Sequence, residues 1–191
     1  MPNWCFTTYK IISRGEENKE YLKLKKYLDE NWEKELWIGN LANYYGVDFE
    51  SLGISARGWV STYSEDDGVI TLDVESAWDA NDLLFDEINK ATGNKLIISL
   101  RAEEPNCDLW YIRDEGGFFP EKYYVDCYGG SPEFEPQSFE TLKEVVDLWC
   151  KMTGEKRNGR TDEQMLEVIE EWESDEDDIF FNVHEFARED C

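Results

Sequence analysis

Apolar and polar residues alternate or recur along the chain in patterns that predict most of its elements. Asn3 to Ser13 (NWCFTTYKIIS) is rich in aromatic and β-branched residues and reads as a strand. Trp4, Phe6 and Ile12 share one face, and Cys5, Tyr9 and Ile11 share the other. Apolar groups on both sides place this strand inside a sheet. From Glu16 to Trp32 the period changes, with Tyr21, Leu24, Leu28 and Trp32 recurring every three or four residues, as in an amphipathic helix. A less regular helical stretch covers Leu36 to Tyr45, with Gly46 as its stop. Ile54–Tyr63 and Val69–Ser76 read as a hairpin turning at Ser64-Glu65-Asp66-Asp67-Gly68. In its second arm Ile70, Leu72 and Val74 alternate with Thr71, Asp73 and Glu75, so one face meets water. A helix over Asp79–Thr92 follows, capped by Asp79 and ended by Gly93, with Leu84, Ile88 and Ala91 as its stripe. Lys95 to Ala102 is a further strand.

The order to this point is β-α-β-β-α-β with a short extra helix, the ferredoxin-like pattern, and the fold class expected is α+β. Two more strands, Asp108–Arg113 and Tyr123–Tyr128, turn near Gly116-Gly117 and would extend the sheet as an added hairpin. The C-terminal part reads as helical. Ser138 caps a helix carrying Leu142, Val145, Val146, Trp149 and Met152, and Gly154 stops it. Thr161 and Gln164 have capping-box spacing for another, with Met165, Ile169 and Trp172 as its buried stripe. The expected division is a ferredoxin-like domain with its extra hairpin over residues 1–130 and an acidic helical extension packed on it over 131–191.

Certain residues carry a resemblance. Met1-Pro2-Asn3-Trp4-Cys5 resembles the opening of the YubB ferredoxin-like proteins of phages and conjugative plasmids. Ser76-Ala77-Trp78 before a helix is similar too, as is Glu103-Glu104-Pro105 followed by an aromatic-rich hairpin with a Gly turn. The match spans roughly residues 1–130. It implies a ferredoxin-like fold and a mobile-element gene, and it implies no activity. Everything after about Ser131 departs from the family's pattern.

Charge changes the picture most. The 191 residues hold 44 Asp plus Glu against 19 Lys plus Arg, a formal net charge of −25. Such a field repels nucleic acid and anionic membranes and attracts basic clefts. At 41% hydrophobic and 15% aromatic the chain still has the material for a folded core. From Thr161 onward there are 13 acids and one Arg. Glu170, Glu171, Glu173, Asp175, Glu176, Asp177 and Asp178 fall within nine residues. A solvated helix end or solubilising tail is the plain reading of that run. The sharper one is imitation of a phosphate backbone, and these seven acids are the expected partner-binding residues. Trp172, Ile179, Phe180 and Phe181 flank the run and would pin it. Further acid clusters, Glu65-Asp66-Asp67, Asp86-Glu87, Glu103-Glu104 and Asp114-Glu115, sit at expected loop ends that would align on one edge of the sheet.

Other chemistries find little support. The one histidine, His184, has no recognisable nucleophile motif beside it. Five cysteines (Cys5, Cys107, Cys127, Cys150, Cys191) include no CxxC pair, and zinc spacing is absent. Cys107 and Cys127 lie nearly symmetrically about Gly117, so the hairpin would bring them together as a buried thiol pair. No calcium loop or glycine-rich phosphate loop occurs. Trp110, Tyr111, Tyr123 and Tyr124 lack the basic surround of an RNA-binding sheet. No catalytic residue, metal or cofactor is expected. No apolar run reaches the ~20 residues of a membrane span, and the N-terminus lacks a signal peptide's pattern, so the cytosol is the expected compartment.

The leading expectation is a non-enzymatic inhibitor from a phage or other mobile element, of anti-CRISPR or anti-restriction type. It would block a basic nucleic-acid channel in a host protein such as a CRISPR effector or restriction nuclease, without binding nucleic acid or membrane itself. Two alternatives stand beside it. One is an interaction module using an aromatic surface in replication or conjugation. The other is a small metal-dependent carboxylate enzyme.

Overall fold

Aromatic and β-branched residues write the first strand, and pairing on both of its edges makes it central. The computed structural model describes residues 3–32, 36–128, 135–172 and 180–189. In chain order the elements are β1 (Trp4–Ser13), α1 (Lys19–Asn31), α2 (Ile38–Tyr44), β2 (Gly58–Asp66), β3 (Val69–Ala77), α3 (Asp82–Ala91) and β4 (Leu96–Glu104). After a 3-10 turn at Pro105–Cys107 come β5 (Leu109–Arg113), β6 (Tyr123–Tyr128), β7 (Gln137–Phe139), α4 (Leu142–Thr153), α5 (Asp162–Glu170), β8 (Phe180–Glu185) and β9 (Ala187–Glu189). The protein is thus α+β. It divides into two compact units, Met1–Phe119 with Arg188–Cys191, and Pro120–Ala187.

The first unit holds a six-stranded sheet ordered β2-β3-β1-β4-β5-β9. β1 pairs antiparallel with β3 on one edge and with β4 on the other. Asp67 and Gly68 both take positive φ and close the β2–β3 hairpin as a two-residue turn, the geometry that matches strand twist. One face of the sheet buries Cys5, Tyr9, Ile11, Ile70, Leu72, Val74, Leu96, Ile98 and Leu100. Tyr21, Leu24 and Leu28 of α1 and Leu84, Phe85 and Ile88 of α3 complete that core. Tyr9 anchors it: its ring stacks on Phe85 with centroids 3.9 Å apart, and its hydroxyl donates to the Ala80 carbonyl at 2.5 Å.

The second unit holds a three-stranded sheet, β7-β6-β8, with α4 and α5. Its core is Val125, Val145, Val146, Trp149, Met165, Ile169 and Phe181. Both helices begin in complete capping boxes, Thr141 with Glu144 and Thr161 with Gln164.

Several expectations are corrected. The added hairpin does not form. β5 pairs with β4 and neighbours β9, whereas β6 pairs with β7 and β8. The Asp114 carboxylate accepts the backbone N–H groups of Phe118 and Phe119 at 2.9 and 2.7 Å, so the turn's donors go to a side chain instead of a ladder. The second unit therefore starts at Pro120, not near Ser131, and it carries strands as well as helices. Cys107 and Cys127 lie in different units, and both are free thiols. Ser138 sits in β7, and Thr141 caps α4 in its place. α3 begins at Asp82, three residues later than expected; Asp79 accepts the Asn81 N–H at 2.6 Å and shapes the turn before the helix. Ala91 and Met152 face solvent. No helix among the described residues is long and apolar enough to cross a membrane.

Removing the Tyr9 hydroxyl leaves a buried carbonyl without its donor. Tyr9→Phe is expected to lower unfolding free energy by about 1–3 kcal/mol, read by urea denaturation.

Candidate functional site

Several bases of the first unit are spent on nearby acids, and this shapes where the negative field is left open. Arg113 pairs with Asp86 at 2.8 Å, Arg14 with Glu115 at 2.5 Å and Arg101 with Glu103 at 3.2 Å. Glu65 accepts from the Tyr21 hydroxyl and from the Gly68 N–H, and Lys25 lies 3.8 Å away. The expected alignment of the acid clusters on one sheet edge does not occur. The β2–β3 turn and Asp114-Glu115 fall at the Ser13 end of the sheet, Glu103-Glu104 at the opposite end, and Asp86-Glu87 within α3.

On the outward side of α5 four acids stay unpaired. Met165 and Ile169 are buried, and Glu163, Glu167, Glu170 and Glu171 are exposed. At about 100° per residue these four carboxylates fall within an arc of about 100° on the side opposite the buried pair. At about 1.5 Å rise per residue they span about 12 Å, in steps of about 6, 4.5 and 1.5 Å. No ion pair neutralises them among the described residues. Gln164, Glu167, Val168, Glu170 and Glu171 line a shallow concavity along this side, with Arg160 at its start. Glu163 lies in the first turn, where its own N–H and the Thr161 side chain hold its carboxyl below the usual range. Glu170 and Glu171 stand at the C-terminal end, with no base in the last turn. A helix dipole disfavours negative charge there.

Of the seven acids expected to bind a partner, Glu170 and Glu171 fall on this ridge. Glu173, Asp175, Glu176, Asp177 and Asp178 lie outside the described residues. Sequence reasoning missed Glu163 and Glu167, although their spacing from Glu171 by fours was the available signal.

The three resembling motifs also converge, at the other end of the first unit's sheet from the β2–β3 turn. Trp4 faces Ala77 and Cys5 faces Ser76 in register, Phe6 faces Glu103, and the Trp78 N–H donates to the Asn3 carbonyl at 3.0 Å. Trp78 is half-exposed and holds φ of +77°, an outlying conformation for so bulky a residue. Beneath, Glu104 is fully buried, and neither of its carboxylate oxygens has a hydrogen-bond partner among the described residues. Burial pushes the Cys5 thiol up to about 11, helped by the Asp79 and Glu104 carboxylates and opposed by the Thr7 hydroxyl. A thiol so shifted is not a nucleophile at neutral pH.

His184 lies on β8 with its Nε2 3.3 Å from Asp126. Ser138 and His184 flank Tyr124 on opposite strands, about 9–10 Å apart across the sheet, too far for a hydroxyl to pass its proton to the ring. Among the described residues no group of three His, Cys, Asp or Glu is placed to hold a metal ion.

Two measurements follow from these placements. At about pH 8 roughly a thousandth of Cys5 is thiolate, so iodoacetamide should label exposed Cys107 long before Cys5, read by peptide mass mapping. Glu170→Gln with Glu171→Gln should raise the melting temperature slightly by relieving the charge at the α5 C-terminus.

The sequence matches no protein-family model, and no curated protein matches it.

Proposed function

We propose that the protein is a non-enzymatic acidic inhibitor that occupies a basic nucleic-acid channel in place of a polynucleotide. The observation that carries this reading is the α5 ridge. Glu163, Glu167, Glu170 and Glu171 set out four exposed, unpaired charges over about 12 Å of helix, a mean axial interval of about 4 Å against the ~3.4 Å of phosphates along one strand of duplex DNA. A helix holds that spacing before binding, so little ordering entropy opposes the complex. Capping at Thr161 and burial of Met165 and Ile169 fix the ridge to its unit.

The class of partner follows from the charge. A host protein with a positively lined channel, such as a CRISPR effector or a restriction nuclease, presents the complementary field. Nucleic acid itself and anionic membranes are repelled. The resemblance of the opening residues to YubB-like proteins adds a mobile-element origin and a working place in the host cytosol. A ferredoxin-like core belongs to the same reading, supported by the antiparallel pairing of β2 with β3, β3 with β1 and β1 with β4. It would be extended here by β5 and β9.

The test is capture from a lysate of bacteria carrying defence nucleases, with recovered proteins identified by mass. The wild-type chain should retain a basic nucleic-acid-binding protein at about 50 mM salt and release it by about 200 mM, because exposed charge is screened over ~8 Å at physiological strength. The variant with Glu163, Glu167, Glu170 and Glu171 all changed to Gln should fold and recover at least about tenfold less. Undiminished recovery by that variant would reject the ridge as the binding surface.

A further inference from the structure

The face of the first unit's sheet that points away from the helices carries a row that no linear motif reveals. Register sets Trp59, Glu75, Phe6, Glu103 and Trp110 side by side across β2, β3, β1, β4 and β5. Aromatic rings and carboxylates alternate along it. The two acids fare differently. Glu103 pairs with Arg101 at 3.2 Å, and the Arg101 guanidinium lies 5.8 Å from the centroid of the Phe119 ring. The chain thus fills one acid-aromatic site with its own arginine. The Glu75 carboxylate has no ion pair or hydrogen bond among the described residues. It stands between Trp59, 38% exposed, and Phe6, 51% exposed. Trp4 braces Trp59 edge-to-face, with centroids 4.8 Å apart.

We propose that Trp59, Glu75 and Phe6 bind an arginine side chain presented by a basic partner segment. Trp59 and Phe6 sit two strands apart, about 9–10 Å between backbones. A flat guanidinium contacting a ring on each side at about 3.5–4 Å fits that width. It would donate to the Glu75 carboxylate at the floor while its faces meet the π-systems, a combination a lysine ammonium cannot match. Arg57, exposed just before β2, makes no ion pair with Glu75 among the described residues and leaves the place open. The net charge of −25 gathers cationic segments toward such a site. This site is independent of the α5 ridge.

Titration of the isotope-labelled full chain with N-acetyl-arginine amide, followed through tryptophan indole N–H signals, tests it. The Trp59 signal should shift saturably, and the neutral N-acetyl-glutamine amide should not move it. Glu75→Gln should weaken binding at least about fivefold, whereas Glu170→Gln with Glu171→Gln should leave it unchanged. Phe6→Leu keeps apolar bulk without the ring and should weaken binding similarly, and it decides the matter if Glu75→Gln disturbs the amide spectrum. Equal affinity in wild type and a folded Glu75 or Phe6 variant overturns the proposal. So does an unmoved Trp59 signal.

Discussion

Pairing of β1 on both edges, with only one of its faces covered, is the constraint from which the first unit follows. A central strand has no free backbone donors or acceptors to offer a partner, so its ladders with β3 and β4 fix the register of the whole sheet. Covering one face with α1 and α3 buries Cys5, Tyr9 and Ile11. The same alternation commits Trp4, Phe6, Thr8 and Lys10 to the other face. There, neighbours satisfy the polar members: Thr8 donates to Asp73 at 2.8 Å and Lys10 to Thr71 at 2.9 Å. The aromatic members at the Trp4 end receive no such cover. An exposed ring row is therefore an outcome of strand parity, and keeping it costs solubility that the surface acids restore.

Charge is organised by the same economy. With fewer than half as many bases as acids, the fold cannot neutralise every carboxylate, and it pairs those nearest its own framework. Arg113 holds Asp86 of α3 against β5, and Arg14 ties Glu115 to the end of β1. Arg157 bridges Asp147 of α4 and Asp162 of α5. What remains on α5 is a row of like charges at spacings of three and four, which disfavours the helix. Capping and burial must offset that repulsion for the helix to persist.

Much of the fold was legible in the residues. Aromatic and β-branched residues announced β1, and strict alternation announced β3, because a half-buried strand shows its period directly. Thr161 with Gln164 announced α5, because a capping box is a local bond between neighbours. The failures were non-local. Nothing between Asp108 and Tyr128 states that β6 will leave β5 for partners more than ten residues further on. Ser138 has cap chemistry as good as Thr141, and only the β6–β7 ladder claims it for a strand. Of the candidate binding acids, Glu170 and Glu171 were found by density, and Glu163 and Glu167 were missed because density ignores helical phase. The Trp59–Glu75–Phe6 row was unreadable because its members lie on three strands and meet only through register.

The ridge and the row would recognise positive charge by different physics. Exposed carboxylates along α5 act at a distance, raise encounter rates and discriminate poorly among cationic surfaces. A carboxylate between two rings acts at contact, loses little to salt once desolvated, and asks for a planar cation in one orientation. A protein with only the first would be a general polyanion, sequestered by any basic surface in the cell. A contact that selects arginine over bare charge supplies the discrimination that a long-range field lacks. The same carboxylate, if placed on an open strand without flanking aromatics, would remain in high dielectric and add almost nothing to affinity.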